Sequence, residues 1–168
     1  MQTRSSLNLN HDGVANEETF KSHGRDSFSS VEAMDTGPDL IRKRGETCPY
    51  YKHMNIKIDE VKDGYARLTM NLEEKHLQFL KTVHGGAIAS LADSAAAWAI
   101  IGSIGLIAGL ATVEMKINFL VPVQSGHLIA EARIVHKGRK ISLSDVEVKD
   151  DKGRLVAKSL VTYYLKSS

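Results

Sequence analysis

Apolar and polar positions alternate with a period of two along most of the chain from Cys48 onward. Two such segments, His53–Asp59 and Tyr65–Asn71, flank the turn Lys62-Asp63-Gly64 and predict a β-hairpin. Four later segments, separated by turns rich in Gly, Ser or Asp, predict the strands Leu110–Val121, His127–His136, Ile141–Lys149 and Arg154–Leu165. The chain is therefore predicted to form an antiparallel sheet.

The strand predicted at Ile141–Lys149 has a break in its pattern. Its apolar phase slips from Ile141 and Leu143 to Val146 and Val148. Because a shift of one residue moves a side chain to the other face of a sheet, the slip predicts a bulge near Ser144-Asp145.

The segment Gly86–Ile101 has no period of two and is rich in Ala, Leu and Ile. This composition predicts a helix, and a helix that is apolar on nearly all sides is a buried one. A single apolar helix needs a face to cover it. The simplest arrangement is an α+β fold in which a curved antiparallel β-sheet wraps around one long central α-helix. Such a sheet has free edges with which a second copy can pair.

Residues 1–45 are rich in Ser, Asn, Gly and charged side chains, and large apolar residues are sparse. Such a composition does not offset the entropy of ordering, which predicts a flexible N-terminal extension before a domain at residues 46–168. A short helix around Asp39–Arg44 is predicted within the extension, with Pro38 near its start and Gly45 after its end.

Composition excludes several classes of protein. The chain has 168 residues, a net charge of +2, one Cys and seven His. A single Cys excludes a disulfide-stapled scaffold, and the weak charge gives no broad attraction to nucleic acid or to an anionic membrane. The His residues show no close metal-ligand spacing, so neither a metal nor a separate cofactor is expected. Residues 1–30 lack an apolar export segment, which predicts a cytoplasmic location.

A membrane span is the alternative interpretation of one stretch. Ser94–Val113 is 20 residues without a formal charge, and it has Gly105 and Gly109 at GxxxG spacing. Much of its apolar content is Ala, and its second half is Gly-rich. These features favour a buried helix followed by a glycine-rich connection.

The start of the predicted helix, Val83-His84-Gly85-Gly86, carries the first candidate chemistry. The first N–H groups of a helix have no internal acceptor, and glycine lets a ligand approach the backbone. A carbonyl docked there would be polarised, and its developing oxyanion stabilised. Tight packing at a helix start is the structural alternative.

Asp93 lies in the middle of the least polar helix in the chain. A buried carboxylate must be paired, solvated in a cleft or functional; a water-facing Asp, or one bonded to a neighbouring Ser, is the alternative. Gly85 and Asp93 are eight residues apart, roughly 12 Å along a helix. One carbonyl cannot reach both within one chain. An antiparallel helix of a second subunit would bring Asp93 of one copy beside Gly85 of the other, twice per dimer.

The stretch HGGAIASLAD at residues 84–93, with NFLVP at 118–122 and GHL at 126–128, resembles the hotdog-fold acyl-CoA thioesterases, in particular the phenylacetic-acid-degradation type. The resemblance covers about residues 47–166. It implies a hotdog fold, a homodimer that often pairs into a dimer of dimers, and metal-free hydrolysis of an acyl- or aryl-CoA thioester to the free acid and CoA. Coenzyme A then enters only as part of the substrate.

The resemblance also implies roles for individual residues. Gly85 matches the glycine whose N–H polarises the thioester carbonyl, and Asp93 matches the acidic residue that activates water or attacks the carbonyl. Gln78 matches an Asn or Gln position that helps place the carbonyl or the water. Thr112 matches a Ser or Thr position that holds the water in some members. Ala97 occupies a position at which another branch keeps a hydroxyl.

Further substrate-binding candidates are expected around this centre. His84 and Gly86 flank the carbonyl site, although His84 is more often a structural helix-start residue than a base in this fold. The basic turn after His136 is either a solvated hairpin tip or an anchor for the phosphates of CoA, through Lys137, Arg139 and Lys140.

Two other functions fit parts of the pattern. A non-catalytic acyl-CoA-binding or regulatory hotdog protein would keep Gly85 without needing Asp93. A hotdog dehydratase or hydratase would pair a catalytic His with a carboxylate, and no such motif exists beyond His84. The sequence leaves open the acyl group and the choice between general-base and anhydride chemistry.

Overall fold

A computed structural model of the chain describes residues 38–105 and 109–166. All of them belong to one compact unit, Ala33–Ser168. The flexible extension is predicted over residues 1–45, and its residues 1–37 lie outside the described part. The predicted short helix is longer than expected: it runs from Pro38 to Thr47 and passes through Gly45, which is buried against Ile58 because it lacks a Cβ.

The described segments contain three α-helices: α1 (Pro38–Thr47), α2 (Pro49–Met54) and α3 (Gly85–Ile104). A short 3₁₀ turn spans Glu74–His76. The strands are β1 (Ile56–Lys62), β2 (Tyr65–Asn71), β3 (Gly109–Phe119), β4 (His127–Lys137), β5 (Ile141–Asp150) and β6 (Leu155–Lys166).

The first strand begins three residues later than predicted. Pro49 starts α2, since proline fits the first turn of a helix, and α2 takes up His53 and Met54. Asn55 then ends the helix in the left-handed region, at φ 53°. The expected hairpin therefore joins β1 and β2 across Lys62–Tyr65.

The six strands form one antiparallel sheet in the order β1-β2-β4-β5-β6-β3. Helix α3 packs against its inner face and contacts every strand. The α+β arrangement of an antiparallel sheet around one long central helix is thus confirmed. β3 lies at an edge of the sheet, paired with β6 on one side only.

Helix α3 is surrounded by the sheet, as its composition predicts. Its side chains Leu91, Ala92, Ala95, Ala96 and Ile100 are fully buried. The helix continues past the predicted end at Ile101 and ends at Ile104. Gly102 lies in this last turn, where any larger side chain would collide with the Lys62 carbonyl. By length and hydropathy α3 alone among the described helices could also span a membrane, a test that buried core helices pass as well.

A bulge lies in the β4–β5 ladder at the predicted position, but its extra residue is on β4. Ile134 pairs with Ser144 and His136 pairs with Leu143, so Val135 is the unpaired residue. β5 itself has no bulge there, because burial alternates without a break, with Ser142, Ser144, Val146 and Val148 facing inward. The apolar slip exists because two small serines occupy the core face. The Ser142 hydroxyl donates to the His136 carbonyl at 3.0 Å.

Candidate active site

The N-terminus of α3 presents one free amide. His84 is the N-cap, and its Nδ1 accepts a hydrogen bond from the Gly86 N–H at 2.8 Å. The Ala87 N–H donates to the His84 carbonyl at 2.9 Å. The Gly85 N–H has no acceptor among the described residues, so it is the donor of the first turn that a ligand can use.

A buried histidine, His76, fixes the segment that precedes this helix. His76 Nδ1 accepts the Glu73 N–H at 2.8 Å, and its Nε2 faces the Met54 carbonyl at 3.0 Å. Because Nδ1 accepts, Nε2 carries the proton and donates to that carbonyl. The backbone carbonyl of His76 in turn accepts the His84 N–H at 2.8 Å. This chain of bonds positions the residue directly before Gly85.

Gln78 lies in a tight turn before the same helix. Its Nε2 donates to Thr82 Oγ1 at 2.7 Å, and its N–H donates to the Thr82 carbonyl at 2.8 Å. Lys81 closes the turn with φ 58°. A cleft of about 350 Å³ joins Gln78 and Gly85 with Ile88, Phe119 and Pro122. The structure thus brings the two predicted carbonyl-binding residues into one cleft.

Asp93 is half-buried and receives two hydroxyl donors on one oxygen. Thr112 Oγ1 on β3 donates to Asp93 Oδ1 at 3.0 Å, and the Tyr163 hydroxyl on β6 donates to the same atom at 2.7 Å. Asp93 Oδ2 has no hydrogen-bond partner among the described residues. The predicted pair Asp93 and Thr112 is therefore in direct contact, with one carboxylate oxygen left for chemistry.

A second cleft, of about 410 Å³, opens at Asp93. Hydroxyl groups dominate its walls, and Leu110 and Ala97 supply apolar surface; the hydroxyl residues are Tyr50, Tyr51, Ser90, Ser94, Thr112 and Tyr163. No Lys, Arg or His of the described residues lines it. The Asp93 carboxylate is held by neutral donors rather than by a cation.

Burial and the adjacent negative charge of Asp93 raise the pKa of Tyr163 far above its usual value. Burial also raises the pKa of Tyr51 in the same cleft. Both phenols stay protonated across the range in which enzymes are assayed, so Tyr163 acts toward Asp93 as a donor.

The two clefts do not meet within one chain. Gly85 and Asp93 lie on the same helix, about 12 Å apart along its axis. Edge strand β3 contacts both ends of this span, with Thr112 at Asp93 and Phe119 at Gly85. Each cleft is therefore half of the constellation predicted from the sequence.

The basic turn lies toward the other end of α3. Lys137 Nζ donates to the carbonyl and hydroxyl oxygens of Ser103 at 3.1 and 2.7 Å. A cation is stabilising at this position, because the helix dipole is negative at the C-terminus. Arg139 and Lys140 are exposed. Ser103 is ten residues after Asp93, roughly 15 Å along the helix, so this turn is separate from both clefts. Within the described part of the chain, no three metal-ligating side chains cluster.

The sequence is similar to those of known thioesterases. Residues 80–157 match the family model described as the thioesterase superfamily. The acyl-coenzyme A thioesterase PaaI of Escherichia coli is 34% identical over 109 residues, covering 63% of this chain and 74% of that protein.

Solved structures give the same result. A mutant of the phenylacetic acid degradation protein PaaI from Thermus thermophilus superposes with a TM-score of 0.65 at 27% identity, covering 71% of this chain and all of that one. A hypothetical thioesterase protein with coenzyme A from Streptococcus pneumoniae has a TM-score of 0.63 at 26% identity, covering 68% and 88%.

The chain belongs to the thioesterase superfamily. Its α+β fold is the hotdog fold, and it is a thioester hydrolase related to the PaaI type.

Sequence reasoning missed Tyr163 and His76. Tyr163 alternates with apolar residues along β6 and so has the pattern of a packing residue. A buried tyrosine hydroxyl nevertheless needs a partner, and Asp93 in an apolar helix needs a donor. Matching these two requirements could have found the pair. His76 gave no signal in the sequence, because its partners are backbone atoms.

Proposed function

We propose that this chain is an acyl-CoA thioesterase whose active site is completed only in a homodimer. Gly85 and Gln78 of one subunit would bind the thioester carbonyl, and Asp93 and Thr112 of the other would supply the base and the water. The observation that supports this arrangement is the division of the constellation into two clefts on one helix, both against edge strand β3.

The exposed surface of β3 supports the proposed dimer. The strand has 11 residues, and its second edge has no partner among the described strands. A long unpaired edge invites pairing with another chain. Val113, Phe119 and Leu120 on or after this strand expose much of their apolar surface. Antiparallel pairing of two β3 strands about a twofold axis would also set the two α3 helices antiparallel, with Asp93 opposite Gly85.

In the proposed reaction, Asp93 removes a proton from a water molecule held by Thr112. The resulting hydroxide attacks the thioester carbon, and the carbonyl electrons move onto oxygen. The Gly85 N–H and the Gln78 carboxamide donate to this oxyanion. Collapse of the tetrahedral intermediate breaks the carbon–sulfur bond and releases the free acid and the CoA thiolate. The proton held by Asp93 then passes to the thiolate or to solvent, which regenerates the carboxylate. A thiol of pKa near 8.5 leaves without a strong general acid.

A nucleophilic route uses the same atoms. Asp93 Oδ2, the carboxylate oxygen without a hydrogen-bond partner among the described residues, attacks the carbonyl carbon. This attack expels the thiolate and gives a mixed anhydride. Water then hydrolyses the anhydride and regenerates the carboxylate. A single turnover in ¹⁸O-labelled water distinguishes the routes. The general-base route labels the product acid, whereas water attack at the Asp93 carbonyl of an anhydride labels the enzyme.

Coenzyme A is the proposed thiol portion, because the Escherichia coli relative is named an acyl-coenzyme A thioesterase and the Streptococcus pneumoniae structure contains coenzyme A. The exposed Arg139 and Lys140 would contact its phosphates, with Lys137 behind them at the end of α3. His84 and Gly86 would line the path to the carbonyl. We propose no cofactor beyond the substrate itself.

We further propose that two dimers associate through the outer face of the sheet. Ile141 and Tyr164 expose apolar surface at directly paired positions of β5 and β6, and Leu160 exposes more on the same face of β6. Exposed apolar surface is a common feature of association sites.

Thiol release from a panel of aryl, short-chain and long-chain acyl-CoAs tests the catalytic proposal. The wild type should release CoA, and Asp93→Asn should lower kcat about a thousandfold while keeping the fold and the dimer. Asp63→Asn, in the exposed β1–β2 turn, is the matched control and should keep full activity. Binding of the acyl-CoAs with no release of thiol by the wild type would instead favour the non-catalytic binding protein.

A further inference from the structure

The hydrogen bond between β6 and the middle of α3 has no role in the reaction described so far. The Tyr163 hydroxyl lies 2.7 Å from Asp93 Oδ1 and 3.0 Å from the Asp93 backbone carbonyl. Tyr163 is 4% exposed, on the core face of β6. A single buried hydroxyl therefore contacts both the side chain and the backbone of the candidate base.

We propose that Tyr163 is a positioning residue that fixes the rotation of the Asp93 carboxylate and keeps Oδ2 turned to the substrate. This inference rests on the proposed function of Asp93 and extends it from two residues to three. Thr112 and Tyr163 both point at Oδ1, from different strands. Two donors on one oxygen fix the rotation of the carboxylate and leave the other oxygen as the atom that reacts.

The electrostatics of the cleft make this donor important. The titratable groups that face Asp93 are Tyr163 on β6 and Tyr50 and Tyr51 on α2, with Cys48 near Tyr51. No described Lys, Arg or His lines the cleft, so no cation orients the carboxylate. A hydrogen bond to a charged group contributes more than one between neutral groups. The hydroxyls of Thr112 and Tyr163 are therefore the groups that orient Asp93.

The phenol is suited to a donor role. Its pKa is raised by burial and by the charge of Asp93, so it does not release its proton in the working range. The hydroxyl does not take up the proton that Asp93 removes from water, because the oxygen of a neutral phenol is too weak a base. Tyr163 therefore acts through Asp93 and is not itself the base.

Tyr163→Phe tests the proposal through the separation of kcat from KM. At pH 8 kcat should fall about tenfold with little change in KM, because the orientation of Oδ2 is lost. Tyr65→Phe is the matched control, since the Tyr65 hydroxyl on β2 donates to the Glu131 carboxylate outside both clefts. It should change neither kcat nor KM.

A purely structural role predicts a different pattern. In that case Tyr163→Phe would lower the melting temperature and leave kcat at the wild-type value, which would overturn the proposal. If the variant does not fold, 4-aminophenylalanine at position 163 serves instead, because it keeps the size of the ring. Its amino group is a weaker donor than a phenol, so kcat should fall with KM unchanged; an unchanged kcat contradicts the proposal.

A measurement without substrate separates this inference from the proposed function. Crystal structures of the wild type and of Tyr163→Phe show the orientation of the Asp93 carboxylate directly. The carboxylate should have one orientation in the wild type and a changed or mixed orientation in the variant, whether or not any acyl-CoA tested is hydrolysed. An unchanged orientation overturns the role of Tyr163 alone, while an inactive wild type with a changed orientation in the variant counts against the proposed function alone.

Discussion

Phe119 covers Gly85 so closely that a Cβ built on the glycine would lie 3.2 Å from the Phe119 ring. Seven residues earlier on the same strand, Thr112 bonds to Asp93. One edge strand therefore contacts both halves of the proposed site. The geometry of each half therefore depends on the position of β3, and in the proposed dimer β3 also pairs with its copy. The first two predictions test this arrangement.

Mixed dimers should recover activity from two inactive variants. Asp93→Asn removes the base, and Gly85→Val fills the carbonyl cleft against Phe119. A dimer with one subunit of each kind has one site in which both Gly85 and Asp93 are intact. Random association of equal amounts should restore about a quarter of the wild-type rate, since half of the dimers are mixed and each has one working site.

Subunits with different tags, refolded together and assayed for thiol release, provide the measurement. Differently tagged Asp93→Asn subunits, mixed with each other, are the control and should stay inactive. If mixed dimers form by native mass spectrometry but show no activity, both halves of the site belong to one chain.

A charge on the edge strand should weaken the dimer. Val113 on β3 is 59% exposed, and Val113→Lys places an ammonium group on the strand that is proposed to pair with its copy. We expect monomer to appear in sedimentation velocity, together with a loss of activity at low protein concentration. Val135 on β4 is 57% exposed, and Val135→Lys is the matched control that should remain dimeric. Equal behaviour of the two variants would place the interface elsewhere.

The basic β4–β5 turn should affect substrate affinity and not the chemical step. Arg139→Ala should raise the KM for acyl-CoA about fivefold with kcat unchanged, and the effect should shrink as salt increases. An acyl-pantetheine, which lacks the nucleotide phosphates, provides the comparison. Its KM should be the same for both enzymes. An equal rise in KM for both substrates would assign Arg139 a role other than phosphate binding.

Acid stability should depend on Asp150, which lies at the β5–β6 turn and is 2% exposed. Burial raises its pKa, but the N–H and guanidinium of Arg154 and the N–H of Lys152 outweigh burial and lower the pKa below its usual range. A group with a lowered folded-state pKa stabilises the protein above its unfolded-state pKa, and loses this effect as the pH falls through the folded value.

Asp150→Asn should therefore lower the melting temperature by a few degrees at pH 7. The difference from the wild type should begin to shrink below about pH 4, where Asp150 of the unfolded chain becomes protonated, and should disappear as the pH falls through the lowered pKa of the native carboxylate. Thermal unfolding across this range is the measurement, and the exposed Asp151→Asn is its control. A constant difference at every pH would assign the effect to packing.

Much of the fold and part of the site could be predicted from the sequence. The six strands and the central helix follow from periodicity and from the Ala-rich run, and Asp93 is conspicuous because it is charged within an apolar helix. The pattern predicts the extra residue of the bulge on β5, because small polar residues on a core face, such as Ser142 and Ser144, have the same pattern as a change of face. The extra residue is instead Val135 on β4, which the pattern of β5 does not show.

The pattern of apolar and polar positions does not predict contacts between segments that are distant in the sequence. Tyr163 is 70 residues from Asp93, and nothing local signals their hydrogen bond. His76 is buried by partners on α2 and the 3₁₀ turn, and its bonds to Met54 and Glu73 involve backbone atoms that every residue has. Such residues become visible only when the topology brings their partners together.

The position of β3 has a consequence for how the enzyme would respond to its own abundance. In the proposed dimer, separation of the two β3 strands opens both catalytic centres at once, so a lone subunit retains no partial activity. Turnover per subunit would then fall with dilution and rise with crowding, and the affinity of one strand for its copy would set the concentration at which catalysis begins.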